Sequence, residues 1–412
     1  MDTTLYNKLC DILEQYGFNG TVNEIKPITV GHINDTFVVE YDVEGKTQKY
    51  LLQWINHNVF KNPVAVMENV VGITEHIKKK IAETGGDTER EVLTVFKTSN
   101  DENYVKTEDG GHWRVYNFVD NSYSLDGVSS KEDFKMAAIA FGNFQKQLAD
   151  YPIETLKDTI PNFHNTVSWF NDFKVALEEN KSGRKDEAKE EIKFVLERKK
   201  DCSVLTDMLA SGELPLRVTH NDTKLNNVLF DKETNQPLCV VDLDTVMPGS
   251  SLYDFGDSIR FGANTGAEDE KDLSKISLDL DLFKAYVEGY LESAGDSLTK
   301  NEIEYLPFAA KLLTLECGMR FLGDFLNGDV YFKTEYREHN LVRARTQFKL
   351  VADIETKFSE MQSIVNQVKS TLWGTTKNFF QKNWNFLKKS VDKWIAIVYS
   401  IYRCECNEAM GA

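Results

Sequence analysis

No run of the sequence approaches the roughly 20 consecutive apolar residues that a membrane-spanning helix needs. The longest one near the C-terminus is Trp394 to Tyr399. The opening Met-Asp-Thr-Thr-Leu-Tyr has neither the basic nor the apolar region of a secretory signal. Cysteine is scarce and scattered, at 10, 202, 239, 317, 404 and 406. That usage excludes a disulfide framework, fits reduced thiols and makes the cytoplasm the expected location. Cys404-x-Cys406 has no second ligand pair nearby, as a structural metal site would require. Basic charge is short as well: 48 Lys and Arg stand against 65 Asp and Glu, a formal net charge of −17. A field of that sign repels phosphate backbones and excludes nucleic acid as a partner. Any anionic small molecule must therefore find its cations locally. No internal repeat or low-complexity segment breaks the chain.

What remains is a folded chain of 412 residues, 41% hydrophobic, long enough for two or three units. Its most informative stretch is 218–249. Two short apolar runs, 227–231 and 238–242, flank a polar segment ending in Pro237, the layout of an antiparallel hairpin. If Asp231 faces Leu238, then Asn227 faces Asp242 across the strands, with Cβ atoms about 4.5–5.5 Å apart. An amide oxygen and a carboxylate at that separation suit Mg²⁺, which takes few protein ligands plus phosphate oxygens. Asp222 lies just before the first strand. His220-x-Asp222-x-x-x-x-Asn227 has the spacing of a kinase catalytic loop, where the Asp takes or orients a hydroxyl proton and the Asn holds metal. Lys224 adds a positive charge suited to a transferring phosphoryl group. Asp254-Phe255-Gly256 spells the metal-binding tripeptide of protein kinases. It lies beyond Pro248-Gly249, off the returning strand, so Asp242 is the better ligand and Asp254 is left to brace the loop.

Leu216 through Ala263 resembles the aminoglycoside phosphotransferase/choline kinase superfamily. Within it, His-Asn-Asp-Thr-Lys-Leu-Asn-Asn followed by Asp-Leu-Asp-Thr-Val-Met-Pro-Gly is similar to the N-acetylhexosamine 1-kinases. The resemblance spans roughly residues 20 to 368. It implies an α+β, protein-kinase-like fold with a small N-terminal lobe built on an antiparallel sheet and a larger, mainly helical C-terminal lobe. It also implies Mg²⁺-dependent transfer of phosphate from ATP to the anomeric hydroxyl of a free sugar.

Residues 3–16 have a one-faced helical spacing, and Ile25 to Glu40 reads as strand, turn and strand. The resemblance puts the turn, with Gly31, His32 and Asn34, over the ATP phosphates, and His32 between phosphates and sugar. A second hairpin turns at Glu44-Gly45. The strand lysine that pairs with phosphate in protein kinases is missing from Leu51-Leu52-Gln53-Trp54-Ile55. Gln53 as a neutral donor, Lys49, or the loop backbone would have to replace it. The helix from about Pro63 to Ile81 offers Glu68 and Glu75 as candidate partners. Residues 91–98 and 103–108 look like strands, and 113–119 reads as the last strand of the first lobe. The resemblance makes it the hinge, with backbone groups near Tyr116 and Phe118 taking adenine.

These readings divide the chain into a nucleotide-binding lobe (1–119), a catalytic and sugar-binding lobe (120–368) and a tail (369–412). From Lys131 onward the pattern is helical, with Phe134, Ala137, Ala138, Phe141 and Leu148 on one face. Two helices are expected over 166–210, with the charged run Glu178–Lys200 between them as a solvated face. Glu316, Arg320 and Asp324 are spaced four apart along a helix and could form a salt-bridged surface. The resemblance instead turns Arg320 inward, and makes His32, Asp222, Asp244, Arg260, Phe261, Arg320 and Tyr331 the sugar site. In the tail, Phe380, Trp384, Leu387, Val391, Trp394, Val398 and Ile401 form one helical stripe. Residues 365–412 carry seven basic and three acidic side chains, +4, leaving −21 for the rest. The stripe is expected to fold back on the acidic C-terminal lobe, with a second copy of the chain or an anionic membrane surface as the alternatives.

Two classes of function follow. One is an enzyme, an ATP- and Mg²⁺-dependent kinase of N-acetylglucosamine or N-acetylgalactosamine, or of another sugar, aminoglycoside or amino alcohol. The other is a non-catalytic nucleotide- or sugar-binding module, suggested by the missing strand lysine. The presence of Asp222, Asn227 and Asp242 together favours the enzyme.

Overall fold

The computed structural model describes residues 1–28 and 33–372, and the chain divides into two compact units, Met1–Gln362 and Ser363–Ala412. Gly31, His32, the stripe from Phe380 to Ile401 and the Cys404-x-Cys406 pair lie outside the described residues. Helix α1 (Thr3–Glu14) opens the first unit, capped by Asp2, whose carboxylate accepts the Leu5 N–H at 2.8 Å. Its buried face, Leu9, Ile12 and Leu13, shares a core with β1 (Thr21–Ile28), β2 (Asp35–Val43) and β3 (Lys46–Ile55). The β2–β3 turn needs positive φ at two successive positions, which Glu44 (55°) and Gly45 (81°) adopt. Helix α2 (Pro63–Glu83) starts with Pro63 behind the cap Asn62, where a missing N–H costs nothing. Strands β4 (Val105–Lys106) and β5 (His112–Asn117) complete an antiparallel sheet of order β1-β2-β3-β5-β4.

Two expectations fail here. Residues 91–98 make only an isolated bridge, between Val95 and Tyr116, and the strand expected over 103–108 shrinks to β4. The Asn117 side chain accepts the Thr94 N–H at 2.7 Å and donates to the Glu89 carbonyl at 2.8 Å. Backbone groups that a ladder would have joined are thus partly met by a side chain.

Beyond β6 (Ser122–Tyr123) come helices α3 (Lys131–Gln147), α4 (Thr166–Glu179), α5 (Lys189–Glu197) and α6 (Val204–Ser211). They precede strands β7 (Arg217–Thr219), β8 (Val228–Asp231), β9 (Pro237–Val240) and β10 (Met247–Gly249). Helices α7 (Ser251–Gly262), α8 (Leu280–Ala294), α9 (Lys300–Glu304) and α10 (Leu306–Asn327) follow, then a helix over residues 339–372. The architecture is α+β, with the antiparallel sheet first and helices dominating after residue 130.

Helix α3 packs along α8 through the face its spacing predicts. A side chain on Gly142 would strike Ser293, and one on Gly289 would strike the Lys135 carbonyl, so both glycines set how closely the helices approach. The charged run Glu178–Lys200 is not merely a solvated face. It contains α5, which buries Ile192 and Val195 against Leu322, Phe325 and Phe348 while its charges point outward. Glu191 pairs with Arg345 at 2.6 Å, and Glu187 with Arg337 at 2.7 Å. Among the described residues, no helix is long and apolar enough to cross a membrane.

Candidate active site

Strand β7 pairs with β10 and delivers the chain into residues 220–227. Asn221 there is left-handed (φ 65°), a conformation that Asn tolerates better than most residues. The loop is held from below by Asp254, in the first turn of α7. Its buried carboxylate accepts the His220 N–H (2.9 Å), the Asn221 N–H (2.8 Å) and Gln145 Nε2 (2.9 Å). Its carbonyl accepts Thr223 Oγ1 at 2.8 Å. Burial pushes the Asp254 carboxyl up from its usual range, against the pull of the two backbone N–H groups it accepts. The residue braces the loop, as expected.

Replacing Asp254 by Ala strands three buried donors, each worth about 1–3 kcal/mol. Asp254→Ala should therefore lower the melting temperature sharply, while the fraction that folds keeps its Mg²⁺-dependent nucleotide affinity. A normally folded variant that had lost that affinity would make Asp254 a metal ligand.

His220 is fully buried between the rings of Phe141 and Phe144. Nε2 faces the Val241 carbonyl at 2.9 Å, and Nδ1 faces the Asp222 N–H at 3.3 Å. A carbonyl only accepts and an N–H only donates, so the ring is neutral with its proton on Nε2. Its contacts join the loop to the strand end that precedes Asp242.

The Asp222 carboxylate receives Lys224 Nζ at 2.8 Å on Oδ1 and Asn227 Nδ2 at 3.1 Å on Oδ2. Asn227 Nδ2 also donates to the Asp222 carbonyl at 2.8 Å. Both amide protons are thus spoken for, and among the described residues no donor takes Asn227 Oδ1. Burial works to lower the Lys224 pKa, but Asp222 and Asp257 outweigh it, and the amine stays charged.

The β8–β9 register differs from expectation by one residue. Val228 pairs with Val240 and Leu229 with Cys239, and the Val241 N–H donates to the Asn227 carbonyl at 2.9 Å. Asp242 is therefore not the cross-strand partner of Asn227. It reaches the cleft because the chain leaves β9 through a left-handed residue at Asp242 itself (φ 60°, ψ 59°). A non-glycine residue in that region stores about 1–3 kcal/mol of strain, which tends to persist at functional sites.

One cavity of about 480 Å³ collects Asn34, Gln53, Tyr116, Phe118, Asp222, Lys224, Asn227 and Asp242 on its wall. Enclosure, then repulsion by Asp244 and Asp222, pushes the Asp242 carboxyl up to about 6, although the group is open to the water of the cleft. Among the described residues, no three His, Cys, Asp or Glu side chains cluster as a metal site. The donor set of one carboxylate and one unclaimed amide oxygen fits Mg²⁺, which leaves its other positions to phosphate oxygens and water.

Arg114 was not singled out by the sequence, yet it stands on the same wall. It faces Gln53 across the β3–β5 pair, only 1% exposed. Its Nη2 lies 2.5 Å from the Asp244 carboxylate. The guanidinium also approaches Met67 Sδ on α2 (3.7 Å), while Glu68 and Glu75 on that helix are exposed. Neither glutamate takes the part suggested for it. Lys49 stays off the cavity wall, 5.3 Å from the Phe118 ring centre.

Asp244, Arg260, Phe261, Arg320 and Tyr331, the other described residues of the expected sugar site, are not on this wall. Asp244 is buried, its carboxylate taken by Arg114 and by Asn34 Nδ2 at 2.7 Å. Arg260 binds Asp257 at 2.9 Å and Glu268 at 3.2 Å, and Phe261 is partly exposed. Burial opposes ionisation of Asp257, but Arg260, His164 and Lys224 keep its pKa below the usual range.

Arg320 and Tyr331 line a second cavity of about 370 Å³ between α4 and α10. Glu316 and Asp324 flank Arg320 along α10 without pairing to it. Glu316 accepts His164 Nδ1 (2.9 Å) and Thr166 Oγ1 (2.5 Å), and Asp324 accepts the N–H groups of Val330, Tyr331 and Phe332 at 2.9 Å each. Among the described residues, no carboxylate pairs with Arg320. Its guanidinium lies 4.5 Å from the Trp169 ring centre, 5.9 Å from that of Tyr331 and 5.8 Å from that of Phe332. The salt-bridged surface is therefore excluded as the explanation of the spacing.

Among the solved structures that this chain resembles are kinases and phosphotransferases. A microcompartment-associated aminopropanol kinase is 16% identical, with 88% of this chain and 99% of that one covered at a TM-score of 0.53. Choline kinase from Cryptosporidium parvum Iowa II is 16% identical, with 88% and 98% covered at 0.52. A spectinomycin phosphotransferase, solved with ADP and spectinomycin, is 12% identical, with 86% and 98% covered at 0.50. At such identities the likeness is one of fold, the protein-kinase-like α+β architecture expected from the sequence. Residues 24–292, more than half of the chain, match the model of the phosphotransferase enzyme family. The chain belongs to the phosphotransferase enzyme family.

Proposed function

We propose that the protein is an ATP- and Mg²⁺-dependent kinase that phosphorylates N-acetylglucosamine or N-acetylgalactosamine at the anomeric hydroxyl. In this reading Asp222 Oδ1 takes or aligns the hydroxyl proton. The sugar oxygen forms its bond to the γ-phosphorus as the bond to ADP breaks, and Lys224 steadies the phosphoryl oxygens in flight. Asn227 Oδ1 and the Asp242 carboxylate would hold Mg²⁺, which supplies charge neutralisation for the phosphates. The cleft wall with Gln53, Tyr116 and Phe118 would take the nucleotide, together with the loop that carries Gly31, His32 and Asn34.

The observation that carries a neutral acceptor is Arg320. A half-buried guanidinium with no carboxylate partner among the described residues, set among Trp169, Tyr331 and Phe332, suits sugar hydroxyls and an acetamido carbonyl. It would repel an amino alcohol or an aminoglycoside. Two exposed carboxylates on the same cavity, Asp172 and Glu179, favour a second reading in which the acceptor is cationic, as with the choline and aminopropanol kinases of this fold.

A screen of ADP release separates the readings. N-acetylglucosamine, N-acetylgalactosamine, spectinomycin, ethanolamine and choline are each supplied with Mg²⁺ and ATP. Release with the N-acetylhexosamines alone, with ³¹P resonances of an anomeric phosphate in the product, is the expected outcome. Release with the amines alone would replace the sugar by a cationic acceptor. Nucleotide binding without turnover on any acceptor would favour a binding module.

A further inference from the structure

We propose that Arg114 and Asp244 form a positioning pair that orients Gln53 as a neutral phosphate donor, in the place where kinases of this fold carry a strand lysine. The inference rests on reading the cleft as a nucleotide site.

Arg114 Nε and Nη2 both reach Gln53 Oε1, at 3.0 and 2.5 Å. A guanidinium has donors only, so the amide must turn its carbonyl to Arg114 and its nitrogen the other way. Gln53 Nε2 then donates one proton to Thr36 Oγ1 at 2.8 Å and keeps a second. Thr36 Oγ1, having accepted, has its own proton left to give. Gln53 and Thr36 are both on the cavity wall, so two directed donors face the cleft. They suit an oxygen of a polyphosphate chain.

Asp244, buried off the cavity wall, completes the device. Its Oδ1 holds Arg114, and its Oδ2 accepts Asn34 Nδ2 at 2.7 Å. Asn34 cannot flip, because its Oδ1 accepts the Asn56 N–H at 3.0 Å. Buried ion pairs return little net stability once desolvation is counted, so stability alone does not account for a pair kept beside a ligand cavity. Because Arg114 and Asp244 cancel, the site gains direction without gaining charge. Mg²⁺ and Lys224 are left to balance the phosphates.

The test measures Kd for Mg²⁺-ATP and for adenosine by calorimetry on the full chain. Gln53→Glu keeps an oxygen for Arg114, so the fold should hold, but it turns an acceptor toward the phosphates. Gln53→Leu removes the donor without adding charge. A hydrogen bond to a charged group is worth about 10-fold in affinity or more. Gln53→Leu should weaken ATP by about that factor and Gln53→Glu by more, with adenosine unchanged in both. Arg114→Lys cannot grip the carbonyl twice and should weaken ATP as Gln53→Leu does. The double variant Gln53→Leu/Arg114→Lys should be no weaker than Gln53→Leu alone, since Arg114 acts through Gln53.

ATP binding by Gln53→Glu or Gln53→Leu within twofold of wild type would overturn the proposal. So would a double variant whose losses add, because Arg114 would then touch phosphate itself. A wild-type chain that bound neither ATP nor adenosine would instead sink the nucleotide reading, which keeps the two failures distinct.

Discussion

Asp222→Asn should fold normally, bind Mg²⁺-ATP with unchanged affinity and lose turnover by about 10²- to 10⁴-fold, the usual range for a general base. The substitution keeps the oxygen that accepts Asn227 Nδ2, so the loop geometry survives. What it removes is the charge facing Lys224 and the basic atom that this reading offers to the acceptor. An anomeric hydroxyl is more acidic than an ordinary alcohol, so the proton needs less help and the loss should fall toward the lower end. The measurement is kcat from ADP release beside the ATP Kd from calorimetry. Turnover within twofold of wild type would take Asp222 out of the mechanism, whichever acceptor proves correct.

Asp242→Ala should abolish Mg²⁺-dependent turnover and leave binding of metal-free adenosine intact. The same residue predicts two pH effects. Enclosure and the neighbouring carboxylates push its carboxyl up to about 6, above the ordinary 3.8, so the folded protein holds this proton more tightly than the unfolded chain does. Only the ionised carboxylate binds metal. The Mg²⁺ concentration for half-maximal turnover should therefore be flat above pH 7 and rise as pH falls through 6, approaching tenfold per unit. Stability without ligands runs the other way: this group's contribution is present below 3.8 and is lost as pH rises through 6. Asp242→Asn should consequently melt higher than wild type at pH 7.5, by an amount that shrinks toward pH 4. Solvent in the open cleft screens part of the repulsion, so the sign of the change is the test. A lower melting temperature at pH 7.5 would mean that Asp242 is not held against its charge.

Much of the candidate site was legible in the sequence. Asp222, Lys224 and Asn227 lie within six residues, and a short loop leading into a strand leaves little freedom in where they end up. Helices α1, α3 and α10 were legible for a similar reason. An apolar face repeats every three or four residues, so burying it against anything produces the same helix. Asp254 could be read as a brace because it lies past Pro248-Gly249, off the returning strand.

Interactions between distant segments were not legible. That Asp242 meets the cleft was anticipated, but through a cross-strand register that the hairpin does not adopt. A six-residue loop leaves register open, and the left-handed turn at Asp242 depends on where β9 ends. Arg114 looked like an ordinary strand residue. A charge can be buried there only because Asp244, from a loop far along the chain, arrives to neutralise it, and no local spacing announces such a meeting. The same holds for Glu316, Arg320 and Asp324. Their period of four fixes one helix face, but whether they pair or part was decided by His164, Thr166 and the loop at 330–332. Local periodicity thus determined the elements and the catalytic loop. Which charges are paired, and which are left for a ligand, is a balance of desolvation against partners that only the tertiary structure supplies.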